Sequence, residues 1–155
     1  MAVAQMITPG LPVADIGCDH AYLPIYLVRE NMAPYVIACD INAGPVEKAC
    51  GNVEDVDLSE RIEVRQGDGL APILPGEVQS VVLAGMGGKL MMKILSEGTD
   101  VLAKVSEIIM EPQSEVSMLR RFLQDNGFMI ISENMVNDEK KFYPVIKAVP
   151  GQMYW

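Results

Sequence analysis

Apolar residues along this chain come in short runs, and most runs are followed by a longer stretch with helical spacing. Leu11–Ile16 (LPVADI) predicts a strand, and Tyr22–Asn31 predicts a helix whose first turn accommodates Pro24. Tyr35–Cys39 is a second strand, followed by a helix over Gly44–Val53 with Pro45 near its start. Ile62–Arg65 and Gln79–Ala84 are the third and fourth strands, and Lys89–Ser96 is a helix opening on glycines. Glu107–Met110 (EIIM) is a fifth strand. Ser114–Asn126 then carries an apolar stripe of Met118, Leu119, Phe122 and Leu123, with Ser114 and Ser117 as candidate caps and Gly127 as the stop. Phe128–Val136 and Lys141–Val149 read as two strands joined by a turn at Asn137-Asp138-Glu139.

Strands alternating with helices imply an α/β fold with a parallel sheet and helices on both faces. The terminal hairpin makes the sheet seven-stranded and only mostly parallel. No repeat, linker or low-complexity segment divides the chain, so residues 1–155 are expected to form one domain. In such sheets ligands bind beyond the carboxyl ends of the strands, where the strand order reverses. Candidate chemistry is therefore sought just after each strand.

Composition narrows the class. Half of the residues are hydrophobic and 21% are charged, which argues against disorder. No apolar run reaches the roughly 18 residues of a membrane helix. MAVAQMITPG has no cationic segment before its apolar residues, so a cytoplasmic location is expected rather than a secretory one. Cys18, Cys39 and Cys50 form no CxxC pair, and His20 is the single histidine, so no metal site is expected. The net charge of −9 makes the chain a poor bulk attractor of nucleic acid, although a local basic patch remains compatible with it.

The first strand ends in Asp15-Ile16-Gly17-Cys18-Asp19-His20. A dinucleotide site would place GxGxxG here, with amides aimed at a pyrophosphate. Asp19 and Tyr22 stand at the second and third glycine positions, and a carboxylate there suits an ammonium or sulfonium group instead. Asp40, 23 residues after Gly17, is placed to chelate ribose hydroxyls. Asp68, between Gly67 and Gly69, is placed to reach an adenine amino group. Each acid alone is as readily a helix cap or turn residue. Three at strand ends without a phosphate cradle describe S-adenosylmethionine better than a dinucleotide. Asp15, Gly17, Cys18, Asp19, Asp40, Ile41, Asp68, Gly69, Gly85 and Met86 form the candidate cofactor set. Cys18 and Cys39 adjoin the site as expected packing residues.

The fourth strand ends in Ala84-Gly85-Met86-Gly87-Gly88-Lys89. So many glycines either make a tight turn or admit a flat base to the backbone. Gly87, Gly88 and Lys89 are the candidate substrate-binding residues.

VADIGCDHAYLPIYLV, Asp40 at its strand end, RIEVRQGDGL, LAGMGG and EPQSEVSMLRRFLQDNGF together resemble the bacterial tRNA (adenine(22)-N(1))-methyltransferase family. The resemblance runs from about Pro12 to about Val149. It implies a Rossmann-like class I methyltransferase fold, S-adenosylmethionine as cofactor and N1 of a tRNA adenine as methyl acceptor. Asp19, His20 and Gly85 are then the candidate catalytic residues, the last through its carbonyl. Lys89, Lys93, Arg120, Arg121, Lys140 and Lys141 are possible phosphate contacts, although Arg120 and Arg121 also read as a solvated helix face. The chain departs from the family in three ways. It is expected to lack the usual N-terminal helix and the C-terminal helical domain. It carries Glu111-Pro112-Gln113 where QPN is expected. It is acidic, so tRNA binding is expected to be weak. Two other classes stay open: a cofactor-binding module without tRNA activity, and an NAD-dependent oxidoreductase. The sequence does not fix an oligomeric state.

Overall fold

The structure, a computed structural model, describes residues 2–138 and 141–151. Its elements in chain order are α1 (Ala2–Met6), β1 (Val13–Ile16), α2 (Tyr22–Arg29), β2 (Val36–Asp40), α3 (Ala43–Asp55), β3 (Ile62–Gln66) and β4 (Ser80–Met86). There follow α4 (Gly88–Glu97), α5 (Thr99–Leu102), β5 (Glu107–Pro112), α6 (Val116–Asp125), β6 (Phe128–Asp138) and β7 (Lys141–Pro150). They build one seven-stranded sheet in the order β3-β2-β1-β4-β5-β7-β6. The first five strands run parallel, and β7 lies antiparallel to both β5 and β6. The order reverses between β1 and β4, which places the switch point between their carboxyl ends.

Successive side chains of each strand go to opposite faces, and the two faces carry separate cores. On one, Ile16, Ile37, Leu83 and Met110 pack against Met91 and Leu95 of α4 and Leu119 and Leu123 of α6. On the other, Val13, Val36, Val82 and Ile109 pack with Ile25 and Leu27 of α2, Ala49 and Val53 of α3 and Ala4 of α1. The continuous apolar run of β4 is thus buried from both sides, as an inner parallel strand requires.

At the starting end of the strands, away from the switch point, Glu107 is buried. Its carboxylate accepts the Thr8 N–H at 2.9 Å, the Thr8 hydroxyl and the Ser80 hydroxyl at 3.0 Å, and it pairs with Lys147 at 3.4 Å. This network ties the segment after α1 to β4, β5 and β7.

Several expectations are corrected. A five-residue helix, α1, occupies the N-terminal segment expected to lack one. As the sequence reads, no helix separates β3 from β4, but α5 is an additional turn too short to show a period. Neither Ser114 nor Ser117 caps α6. Glu115 takes that place in a left-handed conformation, with no side-chain capping bond. Met118 is exposed because Leu119 and Leu123 already fill the contact with the sheet. Asn137 and Asp138, expected in the turn, belong to β6, and Glu139 lies outside the described residues.

Candidate functional site

The turn after β1 is held from two sides. The N–H groups of Gly17 and Cys18 both donate to the Cys39 carbonyl at 2.9 Å, fastening the turn to β2. Asn52 of α3 donates through Nδ2 to the His20 carbonyl at 2.8 Å. Gly17 has φ 77°, which favours glycine, and a Cβ there would stand 3.2 Å from the tip of Met86. Asp19 and Ala21 also have positive φ, 52° and 65°, which tightens the chain before α2 begins.

At the end of β2, Asp40 accepts the Asn42 N–H through Oδ1 at 3.1 Å, and its carbonyl accepts the Gly67 N–H at 2.9 Å. That second bond brings the Gly67-Asp68-Gly69 turn alongside β2. Gly17, Asp40, Ile41, Asp68, Gly69 and Met86, six of the candidate cofactor positions, then line one cleft of about 140 Å³. Leu90 and Ile94 of α4 add apolar surface to it. The cleft thus combines two carboxylates with an apolar wall and carries no lysine or arginine among its lining residues. These two acceptors and the apolar wall suit a ribose and an adenine ring, and the carboxylates would repel a pyrophosphate.

Asp15 lies behind the cleft, 5% exposed. Burial, with the Asp40 charge second, pushes its carboxyl up to about 7. Burial also pushes the Cys18 and Cys39 thiols up to about 12, so both are protonated packing residues at neutral pH. Asp19 sits outside the cleft with its side chain 72% exposed. His20 Nε2 lies 3.7 Å from Asp19 Oδ1, and the His20 ring stacks on Tyr22.

The end of β4 is irregular. The register with β5 shifts between Ala84 and Met86, leaving Gly85 exposed at φ 74° with nothing within 4 Å of an added Cβ. Gly87 and Gly88 are different. Met86 accepts the Gln113 N–H at 3.0 Å, and Gly88 donates to the Ser114 carbonyl at 2.9 Å. A Cβ on Gly87 would lie 2.6 Å from Ser114 Oγ. The close backbone approach expected at these two glycines is therefore made by the protein's own Ser114–Glu115 segment. Gly85 is the glycine of this turn left open.

Glu115 has φ 50°, and its carboxylate accepts the Ser114 hydroxyl at 2.6 Å and the Lys89 N–H at 3.4 Å. The hydroxyl bond leads in holding its carboxyl below the usual range. The N-terminus of α4, otherwise a ready anion site, already faces this carboxylate. Lys89, Lys93 and Arg121 are exposed, whereas Arg120 is paired with Glu133 at 2.7 Å. Lys140 lies outside the described residues. Among the described residues no cluster of histidine, cysteine and acids could hold a metal ion.

Sequence reasoning does not single out Asn52, Glu115, Leu90 or Ile94, and it reads Tyr22 only as the residue at the third glycine position and the start of a helix. Asn52 reaches its partner only once α3 packs beside the β1 turn. The helical period of Leu90 and Ile94 signals only that one side of α4 is apolar.

A methyltransferase-domain family matches residues 1–146. The tRNA (adenine(22)-N(1))-methyltransferase of Bacillus subtilis (strain 168) is 40% identical over 149 residues, covering 96% of this chain and 63% of that protein. Streptococcus pneumoniae Sp1610, solved in complex with S-adenosyl-L-methionine, is 39% identical with a TM-score of 0.96, over 99% of this chain and 72% of that one. M. capricolum TrmK, solved with S-adenosyl-homocysteine, is 30% identical with a TM-score of 0.88, over 97% of this chain and 67% of that one. The chain thus spans 63% of the length of the Bacillus relative.

Proposed function

We propose that this chain, which belongs to the tRNA (adenine(22)-N(1))-methyltransferase family, binds S-adenosylmethionine in the cleft between β1, β2 and β4 and methylates N1 of an adenine in tRNA. The observation that carries this reading is the joining of Asp40 and Asp68 in one cleft with an apolar wall and no cation. The Bacillus relative's name supplies the acceptor, and the two ligand-bound relatives supply the cofactor class. The described residues serve as one cofactor-binding domain, and a tRNA acceptor fits a cytoplasmic location.

When bound, S-adenosylmethionine supplies an electrophilic methyl group on a sulfonium sulfur. The chain's own residues bind and orient. Asp40 takes the ribose hydroxyls through charge-assisted hydrogen bonds. Asp68 accepts from the adenine amino group, and Ile41, Met86 and Leu90 cover the ring. Asp19, exposed beside the β1 turn, biases that region toward a cationic amino-acid moiety. The acceptor nitrogen carries its lone pair in the plane of its ring, so the base must present an edge. Positive charge then develops on that base. The Gly85 carbonyl, on the exposed turn at the end of β4, would accept from its exocyclic amine and stabilise the charge. N1 of adenine is unprotonated at neutral pH, so no strong base is needed, and His20 shapes the turn rather than removing a proton.

The NAD-dependent alternative is disfavoured on the same geometry. A pyrophosphate at the β1 turn would meet Asp19, and one at α4 would meet Glu115. Calorimetric titration with S-adenosylmethionine and with NAD tests the reading. Binding of the first alone supports it, and binding of NAD alone overturns it. No helix among the described residues is long and apolar enough to cross a membrane.

A further inference from the structure

Tyr22 is the first residue of α2 and is 64% exposed. The buried positions of that helix are Pro24, Ile25, Leu27 and Val28, and Tyr22 joins neither core. Its aromatic contact is with His20: the ring centroids lie 5.2 Å apart with 25° between the planes, an offset stack. The His20 end of this pair is anchored, because the Asn52 amide holds the His20 carbonyl and the flanking left-handed residues Asp19 and Ala21 fix the turn. An exposed ring stacked on a residue whose backbone is anchored has already lost part of its rotational freedom, so binding a third flat group there costs less further ordering.

The position of the pair says what that group is. Ile16 pairs with Leu83 in the β1–β4 register, so the turn carrying His20 and Tyr22 emerges beside the turn carrying Gly85. Met86 comes within 3.2 Å of where a Gly17 Cβ would be, so the two turns touch. One turn offers an aromatic face, and the other an exposed glycine backbone next to Met86 of the cofactor cleft. A purine base is recognised in this way, by stacking on its face and a hydrogen bond on its edge.

We propose that Tyr22, backed by His20, is the platform on which the acceptor adenine stacks when it is presented to the methyl group. This rests on the tRNA-adenine reading above and deepens it. Tyr22 is a substrate-stacking residue, and His20 positions it. The pair selects for a base that leaves its neighbours in the RNA stack, and the edge contact at Gly85 sets which base is accepted.

The test uses the full chain, an unmodified tRNA transcript with adenine at position 22, and S-adenosylmethionine. For Tyr22→Ala, kcat/KM for the transcript is expected to fall about tenfold or more, the scale of a lost base–aromatic stack. S-adenosylmethionine affinity by calorimetry is expected to stay within about twofold. Tyr22→Phe, which keeps the ring and loses the hydroxyl, is expected to restore most of kcat/KM. Wild-type kcat/KM in Tyr22→Ala would overturn the platform. So would an equal loss in Tyr22→Phe, or a parallel loss of cofactor affinity that marks a purely structural role. Failure of the underlying reading shows differently, as no methyl transfer by the wild-type chain, and would overturn both.

Discussion

The Gly88 N–H donates to the Ser114 carbonyl at 2.9 Å, and a Cβ on Gly88 would stand 2.7 Å from that same oxygen. The bond that docks the start of α4 against the segment before α6 therefore exists only because residue 88 has no side chain. Gly88→Ala is expected to lower unfolding stability by roughly 1–3 kcal/mol, the cost of forcing a group into packed backbone. Chemical denaturation with and without cofactor measures this. A variant as stable as the wild type, but impaired in methyl transfer alone, would return Gly88 to the substrate site.

Asp40 and Asp68 differ in how firmly they are set. Asp40 Oδ1 is held by the Asn42 N–H, and Asp68 is exposed in a glycine-flanked turn. Charge-assisted bonds contribute about 1.5–3 kcal/mol. Asp40→Ala is expected to weaken S-adenosylmethionine binding about tenfold or more, and Asp68→Ala less. Calorimetry decides, and unchanged affinity in Asp40→Ala would remove the ribose assignment.

The first two strand ends were legible because their chemistry is local. Gly17 and Asp40 carry meaning through their own position at the end of an apolar run. What stayed hidden depends on the packed chain. Asn52 sits mid-helix and reveals its role only against His20. Ser114 satisfies the sequence rule for a cap, yet its hydroxyl goes to Glu115, and Glu115 faces a different helix, α4. The glycines at 87 and 88 suggested an opening toward substrate, and only the tertiary structure shows Ser114 filling that space. Four residues of α5 are too few for a periodic signal.

Glu107 is the buried charge farthest in function from the cleft. Glu107→Ala would leave Lys147 without its carboxylate and remove the acceptor of Thr8 and Ser80. Breaking a buried pair from one side costs about 3–5 kcal/mol. Stability measured by urea titration is expected to fall by that order. A loss below about 1 kcal/mol would show that the network is dispensable.

The Asp15 carboxyl rises from an ordinary value of 3.8 to about 7 on folding. The folded chain therefore holds this proton where the unfolded chain releases it. The associated stability is fully present below pH 3.8 and is lost as pH rises toward and through about 7. Asp15→Asn cannot lose the proton, so stability measured at pH 5 and pH 8 is expected to fall less between them than in the wild type. An unchanged pH difference would show that Asp15 is not the group responsible.

The most direct test of the account is nucleoside mass spectrometry of an unmodified tRNA transcript incubated with the chain and S-adenosylmethionine. 1-Methyladenosine is expected to appear only with the cofactor, to map to adenine 22 and to be lost in Asp40→Ala. Intact cofactor binding without any methylated adenosine, or methylation at another atom of the base, would contradict it.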